Sequence, residues 1–360
     1  RNNVSNWKSE VQQLKKNKEI ESLWNICIDK EMPELDLPEF EEDINLATRK
    51  AFGKILDYFA EKIPNLVGGS ADLEPSNYTG NFASKYEDFQ KNNRSGRNFA
   101  FGVREFPMAG ILNGIDLHGG LKSFGGTFLV FSDYERPALR LAAIQGLNVI
   151  HEFTHDSFYV GEDGPTHQPI EHAMSLRAIP NFQVFRPSDA KETAVCFQIA
   201  LQFNNTPSAL LLTRQGVPVS SLKIDSVIEG VQRGAYIVKE PEKNPELVIL
   251  ATGSEVSLAL EVAELINDRY IRVVSMPCFE LFEKQSEEYK KSVIPDRGCM
   301  KISIEAGITH GWERYIGING LSIGINHYGL SSPYKDLANE FGFTPEKVKK
   351  RIIDHLNNLL

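Results

Sequence analysis

The sequence has few of the features that hold small secreted proteins or membrane spans together. It carries four cysteines in 360 residues, Cys27, Cys196, Cys278 and Cys299, with no CxxC pair and no zinc-type spacing. Scattered thiols in a large acidic chain read as reduced core residues, hence a cytoplasmic protein, and not as a disulfide framework. No apolar run approaches the roughly 20 residues that span a bilayer, and no signal peptide is visible. There is no Lys/Arg-rich block and the net charge is −9, so no nucleic-acid or anionic-membrane surface is expected. A few placed arginines can still bind an anionic substrate whatever the net charge. The chain starts Arg1-Asn2-Asn3 without methionine and reads as a fragment or processed piece.

What is present is a core-forming chain, 41% apolar with both charge signs throughout, long enough for two domains at about 100–200 residues each. Residues 4–28 read as one amphipathic helix marked by Trp7, Val11, Leu14, Ile20, Leu23 and Trp24. Residues 32–43, with two prolines and many acids, read as a surface linker to something upstream. From Ile44 the pattern becomes α/β, with helices over 47–60 and 106–118 and strands near 66–69, 99–103, 147–153 and 182–185. A second α/β unit follows a boundary near 220–230, with strands at 247–252, 271–276 and 300–305 and a helix over 256–266. Its last helix, over 345–356, starts at Pro345 after a Thr344 cap. The expected organisation is a helix and linker over 1–43, a parallel-sheet domain over 44–222 and a smaller mixed-sheet α/β domain over 223–360.

Five of the eight histidines, His118, His151, His155, His167 and His172, fall in one stretch. Singly, such residues often cap or fill a core. His155 and His167, however, sit in loop-like segments with Asp156, Glu162, Asp163, Gly161 and Gly164, and α/β sheets place ligands in loops at strand carboxyl ends. Zinc is disfavoured, because there is no HExxH and no cysteine pair. Glu105 stands where a helix begins; it reads either as an acid favoured by the helix dipole or as a buried acid exchanging a proton with a ligand ring nitrogen. Phe128, Phe131 and Tyr134 form an aromatic row behind Gly125-Gly126-Thr127, either helix packing or a platform for a planar ligand that the glycines let approach. Arg214 follows an apolar strand, where it can bind phosphate bidentately.

Read together, these segments resemble transketolase. The matching stretches are Gly68-Gly69-Ser70-Ala71-Asp72-Leu73, Gly102-Val103-Arg104-Glu105, Gly125-Gly126-Thr127-Phe128, the loop from Thr154 to Gln168, Leu212-Thr213-Arg214-Gln215 and Ala251-Thr252-Gly253-Ser254-Glu255-Val256. The resemblance implies a domain that binds the aminopyrimidine of thiamine diphosphate, followed by a C-terminal domain without essential chemistry. It implies that Glu105 contacts the pyrimidine N1′, that Phe128, Phe131 and Tyr134 wall the pyrimidine, and that Asp72 lies near cofactor and subunit interface. It further implies that Arg49, Ser76, His155 and Arg214 grip the sugar phosphate, that Asp163 reads a substrate hydroxyl and that His167 lines the cleft near the reacting carbons. With Glu105, His155 and His167 as catalytic residues, the implied reaction is two-carbon ketol transfer between phosphorylated ketoses and aldoses in the pentose phosphate pathway, by a homodimer.

Phe106-Pro107 and Phe158-Tyr159 depart from the usual family residues beside Glu105 and Val160. The larger departure is that no Gly-Asp-Gly, the family's Mg²⁺–diphosphate motif, occurs in the sequence; the resemblance places the Mg²⁺ ligands outside this chain and no metal ligands within it. The leading expectation is therefore part of a transketolase, inactive alone. The alternatives are a pyrimidine-binding subunit of a split transketolase and a non-catalytic binding protein that kept the fold.

Overall fold

A computed structural model describes residues 2–42 and 44–358. Arg1 and Asp43 of the expected helix-and-linker segment, and Leu359 and Leu360 at the other end, lie outside the described residues.

The apolar runs of the first unit become strands β1 (Leu66–Ser70), β2 (Lys122–Phe128), β3 (Val149–Thr154), β4 (Gln183–Phe185) and β5 (Ser208–Leu212). They form one parallel sheet in the order β1-β2-β3-β5-β4. A parallel sheet needs helices on both faces. Here α3 (Thr48–Lys62) and α6 (Ala190–Gln202) cover one side, where Phe52 and Phe59 meet Phe197 at ring distances of 4.9 and 5.8 Å. On the other lie α4 (Glu105–His118) and α5 (Ser132–Gln145), crossing where the Asn113 amide donates to the Ala138 carbonyl at 3.0 Å. Each fully buried large side chain in these layers contributes about 1.5–3 kcal/mol of transfer free energy.

The second unit has strands β6 (Tyr236–Lys239), β7 (Leu247–Ala251), β8 (Ile271–Ser275), β9 (Met300–Ile304) and β10 (Leu321–Ile323), ordered β10-β9-β7-β8-β6. All pairs are parallel except β6 with β8, so the sheet is mixed, as expected. Helices α7 (Glu255–Leu265) and α8 (Pro345–Asn358) bury Ala259, Val262, Val348 and Ile352 in its core.

Three local expectations fail. The helix read over 4–28 is two helices, α1 (Asn2–Leu14) and α2 (Lys18–Cys27). Asn17 breaks them apart: its backbone is extended and its side chain caps α2 by accepting from the Glu19 N–H at 3.0 Å. Residues 99–103 are not a strand; Asn98 bridges to Gly68 and Phe99 bonds the Gly68 carbonyl, after which the chain leaves the sheet edge. The linker is not a free tether. Leu35 is buried in the first core, Phe40 packs against it, and Lys191 on α6 holds Glu42 at 2.8 Å.

A candidate active site at the carboxyl edge of the first sheet

The parallel sheet brings its carboxyl ends to one edge, and the candidate residues arrive there from separate strands. Phe128 is the last residue of β2, His155 follows β3, Arg214 lies two residues past β5 and Asp72 two past β1. Arg49 joins them through a reciprocal pair of threonines. The Thr48 N–H donates to Thr213 Oγ1 at 3.0 Å and the Thr213 N–H to Thr48 Oγ1 at 2.7 Å, so the start of α3 is fixed to the end of β5. Arg49 Nη1 in turn donates to the Ser76 carbonyl at 2.9 Å, and its guanidinium lies 5.2 Å from the Tyr78 ring.

The imidazole of His155 is buried and its backbone is held at φ +60°, in the left-handed region that non-glycine residues seldom occupy. Asn77 Nδ2 donates to Thr154 Oγ1 at 2.9 Å, and that hydroxyl meets His155 Nδ1 at 2.8 Å. A Thr154 hydroxyl that accepts from Asn77 can donate to Nδ1, the arrangement that goes with the tautomer protonated at Nε2. Burial, with the positive fields of Arg49, Arg214 and His167, pushes the His155 pKa down to about 3. The ring is thus neutral at ordinary pH.

The aromatic row is not a helix face. Phe128 ends a strand, Phe131 sits in a single 3₁₀ turn and Tyr134 lies in the first turn of α5. The change of conformation brings the Phe128 and Phe131 rings parallel within 6° at 5.8 Å; His167 meets Phe131 edge-on at 5.6 Å, and Tyr134 lies 6.2 Å away and exposed. Half-buried Glu105 opens α4, where the helix dipole favours a carboxylate. Asp163, in the turn before Gly164, and Asp72, with φ +64°, are both exposed.

The two glycines before Thr127 make room within the protein itself. A Cβ on Gly125 would lie 2.6 Å from Leu112 Cδ1, and one on Gly126 2.5 Å from Glu152 Oε2. Gly125 lets α4 lie close on the sheet, and Gly126 makes room for a buried carboxyl group. Among the described residues, one set could hold a metal ion: Asp133, Glu171 and His172, in which His172 Nε2 already bonds Asp133 at 3.2 Å.

Sequence reasoning missed what supports this edge from behind. Arg186, fully buried after β4, donates through Nε to Asp156 at 2.9 Å and through Nη1 to the Thr252 carbonyl at 2.8 Å, and it pairs with Glu255. Burial opposes its charge, but Glu255, Asp156 and Glu305 outweigh that and hold its pKa above the ordinary arginine value. Arg177 makes a two-pronged bond to Glu305, both arms at 2.9 Å, and the Trp312 indole N–H donates to the same carboxylate. Two further buried acids were missed: Glu135, 3.0 Å from His151, and Glu152. For Glu152 the available signal was a charge inside an apolar strand, in Val149-Ile150-His151-Glu152-Phe153.

The family model described as transketolase, pyrimidine binding domain, matches residues 45–219, and the transketolase-like C-terminal domain matches 234–344. Transketolase of Aquifex aeolicus is 48% identical over 318 residues, 88% of this chain and 46% of that protein. A Pichia stipitis transketolase solved in complex with sedoheptulose 7-phosphate superposes with a TM-score of 0.91 at 36% identity, covering 99% of this chain and 53% of that one. A split-gene transketolase, described as an inactive β4 tetramer, matches with a TM-score of 0.70 at 26% identity, over 87% of this chain and 99% of that one. The chain spans about half the length of the curated relatives it matches. It belongs to the transketolase family, within which it corresponds to the pyrimidine-binding and C-terminal domains.

Proposed function

We propose that this chain supplies the pyrimidine half of a thiamine-diphosphate site in a transketolase that moves a two-carbon ketol unit between sugar phosphates. The observation that carries this reading is the parallel pair of rings, Phe128 and Phe131, beside the neutral His155 at the carboxyl edge of the sheet. Stacked rings of that spacing suit a planar heteroaromatic group, and Glu105 at the start of α4 is a carboxyl group suited to a hydrogen bond with a pyrimidine ring nitrogen. Thiamine diphosphate, when bound, supplies the carbon nucleophile and electron sink that the reaction needs. Glu105 holds and returns a proton at the ring nitrogen. Arg49, Arg214 and Ser76 hold the sugar phosphate together with the His155 Nε2–H, Asp163 takes a substrate hydroxyl and His167 moves a proton near the reacting carbons. Diphosphate and Mg²⁺ are held by residues outside these 360, since no Gly-Asp-Gly occurs among them.

The partner is a second copy. Helices α4 and α5 present Phe106, Ile111, Leu117, Tyr134, Leu141 and Ile144 to solvent, and Gly110 and Gly114 leave open space for another helix. The domains are placed at 44–222 and 223–360, after the 1–43 segment. The location is the cytoplasm; among the described residues no helix is long and apolar enough to cross a membrane.

Ketol transfer from xylulose 5-phosphate to ribose 5-phosphate tests the reading, using the purified chain with thiamine diphosphate and Mg²⁺. The expected result is no activity until a transketolase diphosphate-binding domain is added. Activity of the chain alone would overturn the half-site assignment. The match to nearly the whole of a split-gene chain favours a second reading, a separate subunit. An open reading frame that begins at this segment would decide for it.

A further inference from the structure

Glu152 lies in the middle of β3 with its carboxyl group fully buried and neither oxygen hydrogen-bonded. A buried polar group without a partner costs about 1–3 kcal/mol, more if charged, so this one calls for an explanation. Its surroundings are specific. The carboxyl leans over Gly126, whose missing Cβ leaves the space, and the side chain of Asn77 borders the same space. Asn77 follows Ser76, whose carbonyl receives Arg49 Nη1, while Arg49 Nε is itself buried without a partner. An unpartnered acid and a partly unpartnered guanidinium therefore both border the Ser76-Asn77 segment, and no ion pair joins them.

Each group feels the other. Burial raises the Glu152 pKa well above the ordinary carboxylate value, and Arg49 pulls it back. Burial also lowers the Arg49 pKa; Tyr78 and Glu152 offset part of this, while Arg214 adds to it. The other charged or titratable groups around the guanidinium are Arg214 past β5, Tyr78 and the neutral His155.

We propose that Glu152 is a specificity-determining residue that controls Arg49 by its own proton. While Glu152 is neutral, the Arg49 guanidinium is free for a substrate phosphate. When Glu152 ionises, it draws the guanidinium down onto itself and phosphate binding weakens. Affinity for a doubly charged anion therefore falls as pH rises through the Glu152 titration. Phosphorylated sugars are affected and sugars without phosphate are not. The inference rests on the assignment of Arg49 to the phosphate pocket.

The test is titration calorimetry of the full chain with inorganic sulfate, an anion of constant charge, from about pH 5 to about pH 9. The wild-type chain is expected to lose about tenfold in affinity, the worth of one charge-assisted hydrogen bond. Glu152→Gln is expected to keep the low-pH affinity throughout, and Arg49→Ala to bind weakly at every pH. A flat wild-type profile, or the same slope in Glu152→Gln, overturns the proposal while leaving the pocket intact. Full sulfate affinity in Arg49→Ala overturns the pocket assignment itself, and so does an absence of binding at any pH. Should Glu152→Gln fail to fold, wild type against Arg49→Ala decides, because the slope must vanish with the guanidinium.

Discussion

The imidazole of His155 lies 3.7 Å, centroid to centroid, from the ring of Phe128 and is tilted by 29°. A ring packed that closely on a benzene face and pushed to a pKa of about 3 is held neutral. Its folded pKa lies below the value of about 6.5 in an unfolded chain, so between the two the unfolded state binds the extra proton. The stability this group allows is complete above about pH 6.5 and is lost as pH falls toward 3. His155→Gln is expected to flatten that acid-side slope in urea unfolding. An unchanged slope would show that the ring is not held neutral.

Glu105→Gln, measured in an enzyme reassembled with a diphosphate-binding domain, is expected to lower turnover by ~10²-fold or more while leaving urea stability unchanged. Near-normal turnover would remove Glu105 from proton transfer.

Glu192 gives the opposite pH signature to His155. Burial, with the nearby charge of Asp189, raises its pKa to about 7 against the bonds from Ser275, Ser188 and Tyr236. The folded state keeps a proton that the unfolded chain gives up near pH 4.3. Its contribution is therefore full below that pH and lost as pH rises through about 7. Glu192→Gln should flatten this loss, worth about 4 kcal/mol across the window, and denaturation at two pH values checks it.

Arg186→Leu would leave Asp156 and Glu255 buried without their shared cation. The expected cost is about 3–5 kcal/mol, read as a lower denaturation midpoint. Because Asp156 adjoins His155, sulfate binding should weaken as well, whereas a stability loss with unchanged sulfate affinity would separate the joint from the site.

Much of the sheet is readable because its strands are short, buried and rich in Val, Ile, Leu and Phe, so that β1, β3, β7, β8 and β9 all fall where apolar runs do. The loop placement of His155 and His167 is readable because they follow such a run and flank Gly161 and Gly164, whereas Phe128 joins them only by resemblance. Arg49 and Arg214 could be grouped only by resemblance, since the Thr48–Thr213 bonds that join them cross 165 positions. The aromatic row misleads because three residues spaced as a helix face pass through strand, 3₁₀ turn and helix. Arg186 and Glu152 stay hidden for a different reason. Whether a charge beside an apolar strand points to solvent or into the joint depends on partners 30 to 69 positions away, or on a missing Cβ in the adjacent strand.

The left-handed backbone at His155 makes the peptide a loaded spring. A side chain at φ +60° costs about 1–2 kcal/mol, less than the joint at Arg186 is worth when broken. Arg186 bonds Asp156 on one side and the Thr252 carbonyl and Glu255 of the C-terminal unit on the other, so that unit shares in holding the strained peptide and the imidazole on Phe128.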